Sequence, residues 1–283
     1  MQVGTIWTGG SAMVTLETLI EMAKFREMPP TKMRGILREY LQTLILRRLY
    51  RTKYGRLFWF TGGSYLRILH NLKRFSEDLD FNVRRVTRPR FEYCVGQLAA
   101  ELRRVGVITE VQYAHWGDHL VAKLVFPEVE RFYNIISSYS RRRGIVIKLQ
   151  ASRRRWKVKT ETDVISGFGE TYPCLCTNRG VLFADKIDAY IEKGLGRHLY
   201  DIIFMVSNRF PFDSDALTAL GIKEDPLGVV LAHVLSASEE QLRKQADVLR
   251  PFLFDESDAE LLVNAHTLLP PLISRYREYA RRD

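Results

Sequence analysis

The chain has 283 residues, enough to bury a full core in one large or two modest domains, and its 46% apolar and 27% charged content is ordinary for a globular protein. No apolar run approaches the roughly 20 residues of a membrane-crossing helix, the N-terminus has no basic-then-apolar leader, and Cys94, Cys174 and Cys176 are too few for a disulfide framework, so the expectation is a cytoplasmic protein with buried, idle thiols. The 43 Lys+Arg against 33 Asp+Glu leave a net charge of +10, which suits a polyanionic partner without defining a fold.

Val14 to Phe25 has helical spacing through Leu16, Leu19, Ile20, Met22 and Ala23, and Met28-Pro29-Pro30 breaks it. Thr31 is placed to cap a second helix running to Arg51, whose Met33, Ile36, Leu37, Tyr40, Leu41, Leu44 and Ile45 recur at three and four. Arg47, Arg48, Arg51 and Lys53 gather at its C-terminal end, where positive charge complements the helix dipole. Next comes the stretch around which the chain is organised, Leu57 to Val83. An apolar run (Leu57, Phe58, Trp59, Phe60) meets Gly62 and Gly63, Ser64 opens a helix through Leu72, and Ser76 to Phe81 returns as a strand. Two glycines allow close approach of the backbone to a ligand, and the helix start offers N–H donors to phosphate. Asp78 and Asp80 alternate with Leu79 and Phe81, so both carboxylates share one face, an arrangement that is costly unless a cation sits between them. Thr8-Gly9-Gly10-Ser11 repeats the tetrapeptide at 61–64 but no D-x-D follows it.

Pro89 to Val105 reads as an amphipathic helix, and Val107 to Tyr113 and His119 to Phe126 as a hairpin turning at Gly117-Asp118, with His115 and His119 as solvated edge residues. Ile145 to Leu149 is a strand inside a basic tract: from Arg141 to Lys159 there are nine basic residues and no acid, with Trp156 available for stacking. Gly167, Gly169 and Pro173 place a domain junction within Glu161 to Arg179. Cys174-x-Cys176 has one residue between thiols, where zinc pairs have two or more. Gly180 to Lys193 and Arg197 to Val206 form a helical hairpin, and the rest is helical: 215–220, 226–235, 238–249, 258–269 and 271–282, with a capping box at Ser238-x-x-Gln241.

The combination of Gly62, Gly63, Ser64 and Arg67 with Ser76, Asp78 and Asp80 resembles the signature of the polymerase-beta nucleotidyltransferase superfamily. The form T-G-G-S-x-L-R followed by S-x-D-L-D is similar to the AbiEii/MenT type of nucleotidyltransferase toxin of bacterial and mycobacterial toxin–antitoxin systems. FADKIDAYIEKGLGRHLYDIIF, at 183–204, resembles the family's second conserved region, with Lys186, Arg197 and Asp201 at the matching places. The resemblance implies an α+β fold: a helical segment over 1–55, a polymerase-beta-type core of mixed sheet and helices over 56–165, and a helical C-terminal domain over 166–283. It implies Mg²⁺ (or Mn²⁺) on Asp78 and Asp80, catalytic roles for Asp80, Lys186 and Asp201, and nucleotide binding by Gly62, Gly63, Ser64, Arg67, Lys148, Lys186 and Arg197. In the family a lysine on the neighbouring strand is commonly followed two residues later by an acid; Lys148 matches and Gln150 departs. The partners implied are an NTP, the 3′ end of tRNA and a cognate antitoxin, with no membrane. Two other readings stand beside this one: nucleotidyl transfer to a protein or small molecule, and a non-catalytic RNA-binding protein on the same scaffold.

Overall fold

The computed structural model describes residues 13–135 and 144–280, so the tetrapeptide at 8–11 and Arg141, Arg142, Arg143, Arg281 and Arg282 lie outside the described residues. α1 (Leu16–Phe25) is capped by Thr15, whose side chain accepts from the Thr18 N–H. α2 (Met33–Arg51) starts from Lys32 and not from Thr31, with no side-chain cap. β1 (Phe58–Thr61) runs directly into α3 (Gly62–His70), and β2 (Leu79–Val83) follows. β2 begins three residues later than the alternation suggests, because 76 and 77 are held by α2: Gln42 Nε2 donates to the Ser76 carbonyl at 2.9 Å and Arg38 pairs with Glu77 at 2.7 Å. α4 (Arg88–Arg104) carries Pro89 in its first turn, where a missing N–H costs nothing. β3 (Glu110–Tyr113) and β4 (His119–Phe126) form the expected antiparallel hairpin, followed by the single turn α5 (Val129–Phe132) and by β5 (Ile145–Arg153).

The stretch expected to hold the junction forms a second hairpin, β6 (Thr160–Gly167) and β7 (Glu170–Thr177), turned by Phe168 and Gly169 with φ of +52° and +76°. Positive φ at both central residues is the turn whose twist matches antiparallel strands. The glycines and Pro173 disguise an alternation that buries Tyr172, Cys174 and Cys176 at 9%, 2% and 0% exposure. The remaining elements are helical: α6 (Arg179–Lys193), α7 (Gly196–Ser207), α8 (Ser214–Ala219), α9 (Pro226–Ser236), α10 (Glu239–Leu249), α11 (Glu260–Val263) and α12 (Ala265–Ala280). The Ser238–Gln241 capping box is present. α12 passes through Pro270 and Pro271, where a break is expected, because Leu269, Ile273 and Tyr276 at helical spacing are buried and the Tyr276 hydroxyl donates to the Phe210 carbonyl. No helix among the described residues is long and apolar enough to cross a membrane.

The chain divides into two units. Unit 1 takes the chain up to Phe60, with Ser76–Arg154 and Thr162–Leu175; unit 2 takes Thr61–Phe75, Arg155–Glu161 and everything from Cys176 onward. The helices before residue 55 therefore belong with the sheet, and the elbow helix α3 belongs with the C-terminal helices. The mixed seven-stranded sheet has the order β3-β4-β5-β2-β1-β7-β6, with β2 parallel to β5 and β4 antiparallel to β5. Register sets Leu79 opposite Leu149 and Phe81 opposite Ala151, all at most 1% exposed, and the Phe58 ring contacts Phe81 and Phe91 of α4 at 5.7 and 6.1 Å. The other face of β2 and β5 carries Asp80 opposite Gln150, with Lys148 one pleat away, all half-buried. In unit 2, Gly196 permits close packing of α7: a Cβ there would lie 2.6 Å from Leu262 Cδ2 and 2.9 Å from Gln245 Cβ.

Candidate active site

The sequence-predicted residues fall into two groups. In unit 1, Asp78 immediately precedes β2 and Asp80 lies within it, both half-buried beside the fully buried Leu79 and Phe81. Lys148 Nζ is 3.1 Å from Asp78 Oδ2, with the two side chains 31% and 37% exposed, so the lysine expected on phosphate holds one of the two carboxylates. Asn82, on the same face of β2, is 1% exposed and accepts from Arg154 Nε at 2.6 Å, which commits one arginine of the basic tract to the sheet. Lys159 of that tract bridges Asp213 and Asp215 at 2.8 and 2.9 Å in unit 2. Among the described residues of the tract, Arg155 and Lys157 are exposed as well.

In unit 2, Gly62 takes φ +84°, a conformation that favours glycine, and starts α3 from the extended Thr61. Ser64 is fully buried in the first turn. Arg67, expected at the nucleotide, is 1% exposed: its Nη1 donates to Asn71 Oδ1 and to the Leu72 carbonyl, both at 2.9 Å, and its guanidinium lies 4.4 Å from the Phe254 ring centre. It ties the end of α3 to the segment between α10 and α11. Arg197 is exposed at the start of α7, and its i, i+4 neighbour Asp201 takes other cations. Asp201, at 0% exposure, accepts a bidentate fork from Arg74, Nε and Nη2 each at 2.7 Å, and its Oδ2 is 2.6 Å from Lys186 Nζ. Burial alone raises the Asp201 carboxyl, but the charges and hydrogen bonds of Arg74 and Lys186 outweigh it and bring the group down to about 2. Two cations against one acid leave this buried cluster one formal positive charge. Beside it His198 is 9% exposed, and among the described residues neither ring nitrogen has a hydrogen-bond partner; burial, aided by the Lys186 charge, pushes the imidazole down to about 3.

Arg74 and His198 are absent from the sequence-derived set. Arg74 is fixed by backbone pairing of its strand-like segment with another, Phe75 N–H to the Phe252 carbonyl and Phe254 N–H to the Lys73 carbonyl. No local period announces that pairing. His198 stands within the matched 183–204 stretch, and its burial on α7 is the signal that marks it.

The donor set suits a hard divalent cation. Mg²⁺ is held by one or two carboxylates with substrate phosphates completing the shell, and Asp78, Asp80 and the amide of Gln150 opposite supply oxygen donors of that kind. No group of three or more His, Cys, Asp or Glu side chains suited to a metal occurs among the described residues. His115 is built into the hairpin, accepting from the Val121 N–H at 3.1 Å and meeting Glu92 Oε1 at 3.0 Å, and His119 Nδ1 meets Ser152 Oγ at 3.0 Å. All three cysteines are free and buried.

A glycine elbow between strand and helix, a D-x-D on an adjoining strand and a helical C-terminal region define a nucleotidyltransferase fold. Solved structures agree on the fold: JHP933 of Helicobacter pylori matches with a TM-score of 0.58 at 14% identity, over 88% of this chain and 95% of that one. MenT4, a nucleotidyltransferase toxin of Mycobacterium tuberculosis, matches with a TM-score of 0.51 at 19% identity, over 91% of this chain and 97% of that one. Among curated proteins none matches. The profile of the nucleotidyl transferase AbiEii toxin family, type IV toxin–antitoxin system, matches residues 44–260, well over half of the chain, and the chain belongs to that family. Family membership makes it a nucleotidyl-transfer toxin acting on an NTP, with an antitoxin as partner.

Proposed function

We propose that the protein transfers a nucleoside monophosphate from an NTP to the 3′ end of tRNA, so that the tRNA can no longer be aminoacylated and translation stops. The observation that carries this reading is the pair Asp78 and Asp80 on the half-exposed face at β2, beside Lys148, in an AbiEii-family chain of net charge +10. Asp78 and Asp80 would hold Mg²⁺ or Mn²⁺, which when bound would supply positive charge against the phosphate oxygens. The backbone N–H groups at Gly62, Gly63 and Ser64 offer donors at a helix start to the outer phosphates, and Lys148, Lys186 and Arg197 add positive charge. Asp201, buried and held ionised by Arg74 and Lys186, positions the Lys186 ammonium; it is poorly suited to collect a proton. The acceptor hydroxyl oxygen bonds to the α-phosphorus, pyrophosphate leaves, and the hydroxyl proton passes to a carboxylate at β2, Asp80.

Purified protein incubated with total tRNA, Mg²⁺ and each labelled NTP in turn, then resolved on a denaturing gel, tests this. Label on tRNA that vanishes in Asp80→Ala and Lys186→Ala supports it and names the nucleotide. Label on protein moves the acceptor to the protein class. Salt-sensitive RNA binding that survives Asp80→Ala, with no transfer under any NTP, overturns catalysis in favour of an RNA-binding scaffold, the reading to which Gln150 opposite Asp80 lends its weight.

A further inference from the structure

Unit 1 holds a second basic feature, separate from the carboxylate pair. Arg47, Arg48 and Arg51 on the last turns of α2, Glu101, Arg104 and Val105 at the end of α4, and Glu170 at the start of β7 line a cavity of about 300 Å³. Four arginines against two glutamates leave the lining a formal charge of +2. Arg47 is engaged with Glu170. Arg48, only 9% exposed, gives one N–H to the Leu44 carbonyl at 3.1 Å and sits among like charges: burial lowers its guanidinium, Glu101 opposes this, and Arg47 lowers it further. Arg51 and Arg104 are exposed and have no ion-pair partner among the described residues. Helix-dipole complementarity accounts for cations at the ends of α2 and α4, yet it does not require two helix ends to bring them to one cavity beside a buried arginine.

We propose that this cavity is a phosphate-binding pocket for the backbone of the RNA acceptor, at a distance from the reacting centre. Guanidinium groups converging from two helices present several N–H forks, the geometry that matches phosphate oxygens, and a bound phosphodiester relieves the repulsion among Arg48, Arg51 and Arg104. Its distance follows from α2. Arg38 pairs with Glu77, next to Asp78, and Arg48 lies ten residues further along the same helix, roughly 15 Å at the α-helical rise. The phosphate taken there is therefore not one on the nucleotide held at Asp78 and Asp80 but one on a long polyanion. The inference rests on the reading of RNA as acceptor and deepens it: α2 becomes a ruler between the 3′ end and a backbone contact.

The test reads the pocket directly. Intact protein is treated with phenylglyoxal, which modifies arginine, alone or with total tRNA or polyglutamate, and modified positions are mapped by mass spectrometry. Arg51 and Arg104 are expected to be shielded by tRNA while Arg243 stays reactive. In parallel, filter binding of tRNA against KCl is compared for wild type, Arg51→Gln/Arg104→Gln and the charge-matched control Lys223→Gln/Arg243→Gln, with melting curves to show that all fold. The pocket variant is expected to reduce the slope of log K against log salt by about 1.4 to 1.8, and the control to leave it unchanged. Equal modification with and without tRNA, shielding by polyglutamate alone, or equal slopes in the two variants overturns the proposal. Transfer of label to tRNA without shielding sinks the pocket and leaves the proposed activity standing; shielding without transfer does the reverse.

Discussion

The two units set aspartate to opposite uses. At β2, Asp78 and Asp80 are half-buried on one face, and Lys148 pairs with Asp78. In unit 2, Asp201 is fully buried and saturated by a guanidinium fork and an ammonium. Two carboxylates on one half-exposed face repel each other, and a divalent cation between them would lower that repulsion, so binding energy is available there to a ligand. The closed carboxylate already has more cation than it needs, and its interaction energy goes into holding Arg74 and Lys186 in place. Substitutions on the two sides are therefore expected to separate activity from stability.

The largest effect is expected from Asp80→Ala, which should lower nucleotidyl transfer by at least about 10³-fold while leaving stability within about 0.5 kcal/mol, since it removes one of two like charges from a half-exposed face. A urea denaturation curve and a single-turnover assay on the same preparation check both halves; loss of stability matching the loss of activity would make Asp80 a structural residue. Asp201→Asn should do the reverse in kind. It keeps an acceptor oxygen but leaves Arg74 and Lys186 uncompensated in a dry environment, for an expected loss of roughly 3–5 kcal/mol in unfolding free energy. A shift below about 1 kcal/mol would mean that water reaches the cluster, and the contrast between the two units would collapse.

How much of this was readable in the sequence depends on the range of the interaction. The elbow at Gly62 and the alternation of Asp78, Leu79, Asp80 and Phe81 are local, so composition and period reveal them. The pairing of β2 with β5 followed from resemblance and not from periodicity. The Arg74–Asp201 fork joins residues 127 apart in the chain, and nothing near Arg74 marks it as other than one more surface arginine. Arg67 shows the converse error: its place in T-G-G-S-x-L-R suggests a ligand contact, yet the fold spends it on Asn71, Leu72 and Phe254. The β6–β7 hairpin was hidden because Gly167, Gly169 and Pro173 mark turns more loudly than three alternating buried residues mark a strand. Tandem prolines misled in the same way at α12, where the burial of Leu269, Ile273 and Tyr276 overrides the local breaker.

The subtlest consequence of the closed cluster is its pH dependence, and His198 sets it. The imidazole is packed beside Lys186, Arg74, Arg197 and Asp201, and it stays neutral in the folded protein down to about pH 3. In the unfolded chain it takes up a proton near pH 6.5. Between those values the unfolded state binds one proton more than the folded state, so stability falls as pH falls, by up to about 1.4 kcal/mol per pH unit from this residue. Asp201 acts in a different window: its folded value lies below its unfolded one, so its contribution is complete above about pH 4 and is lost only as pH falls toward 2. The interval from pH 6 to pH 4.5 therefore isolates the histidine. Unfolding free energies of wild type and His198→Gln across that interval should diverge, with the variant showing the shallower slope and the difference closing above pH 7. Parallel curves would show that His198 is protonated in the fold or solvated through an opening of the cluster, and the buried charge of Asp201 would then be sharing its cations with water.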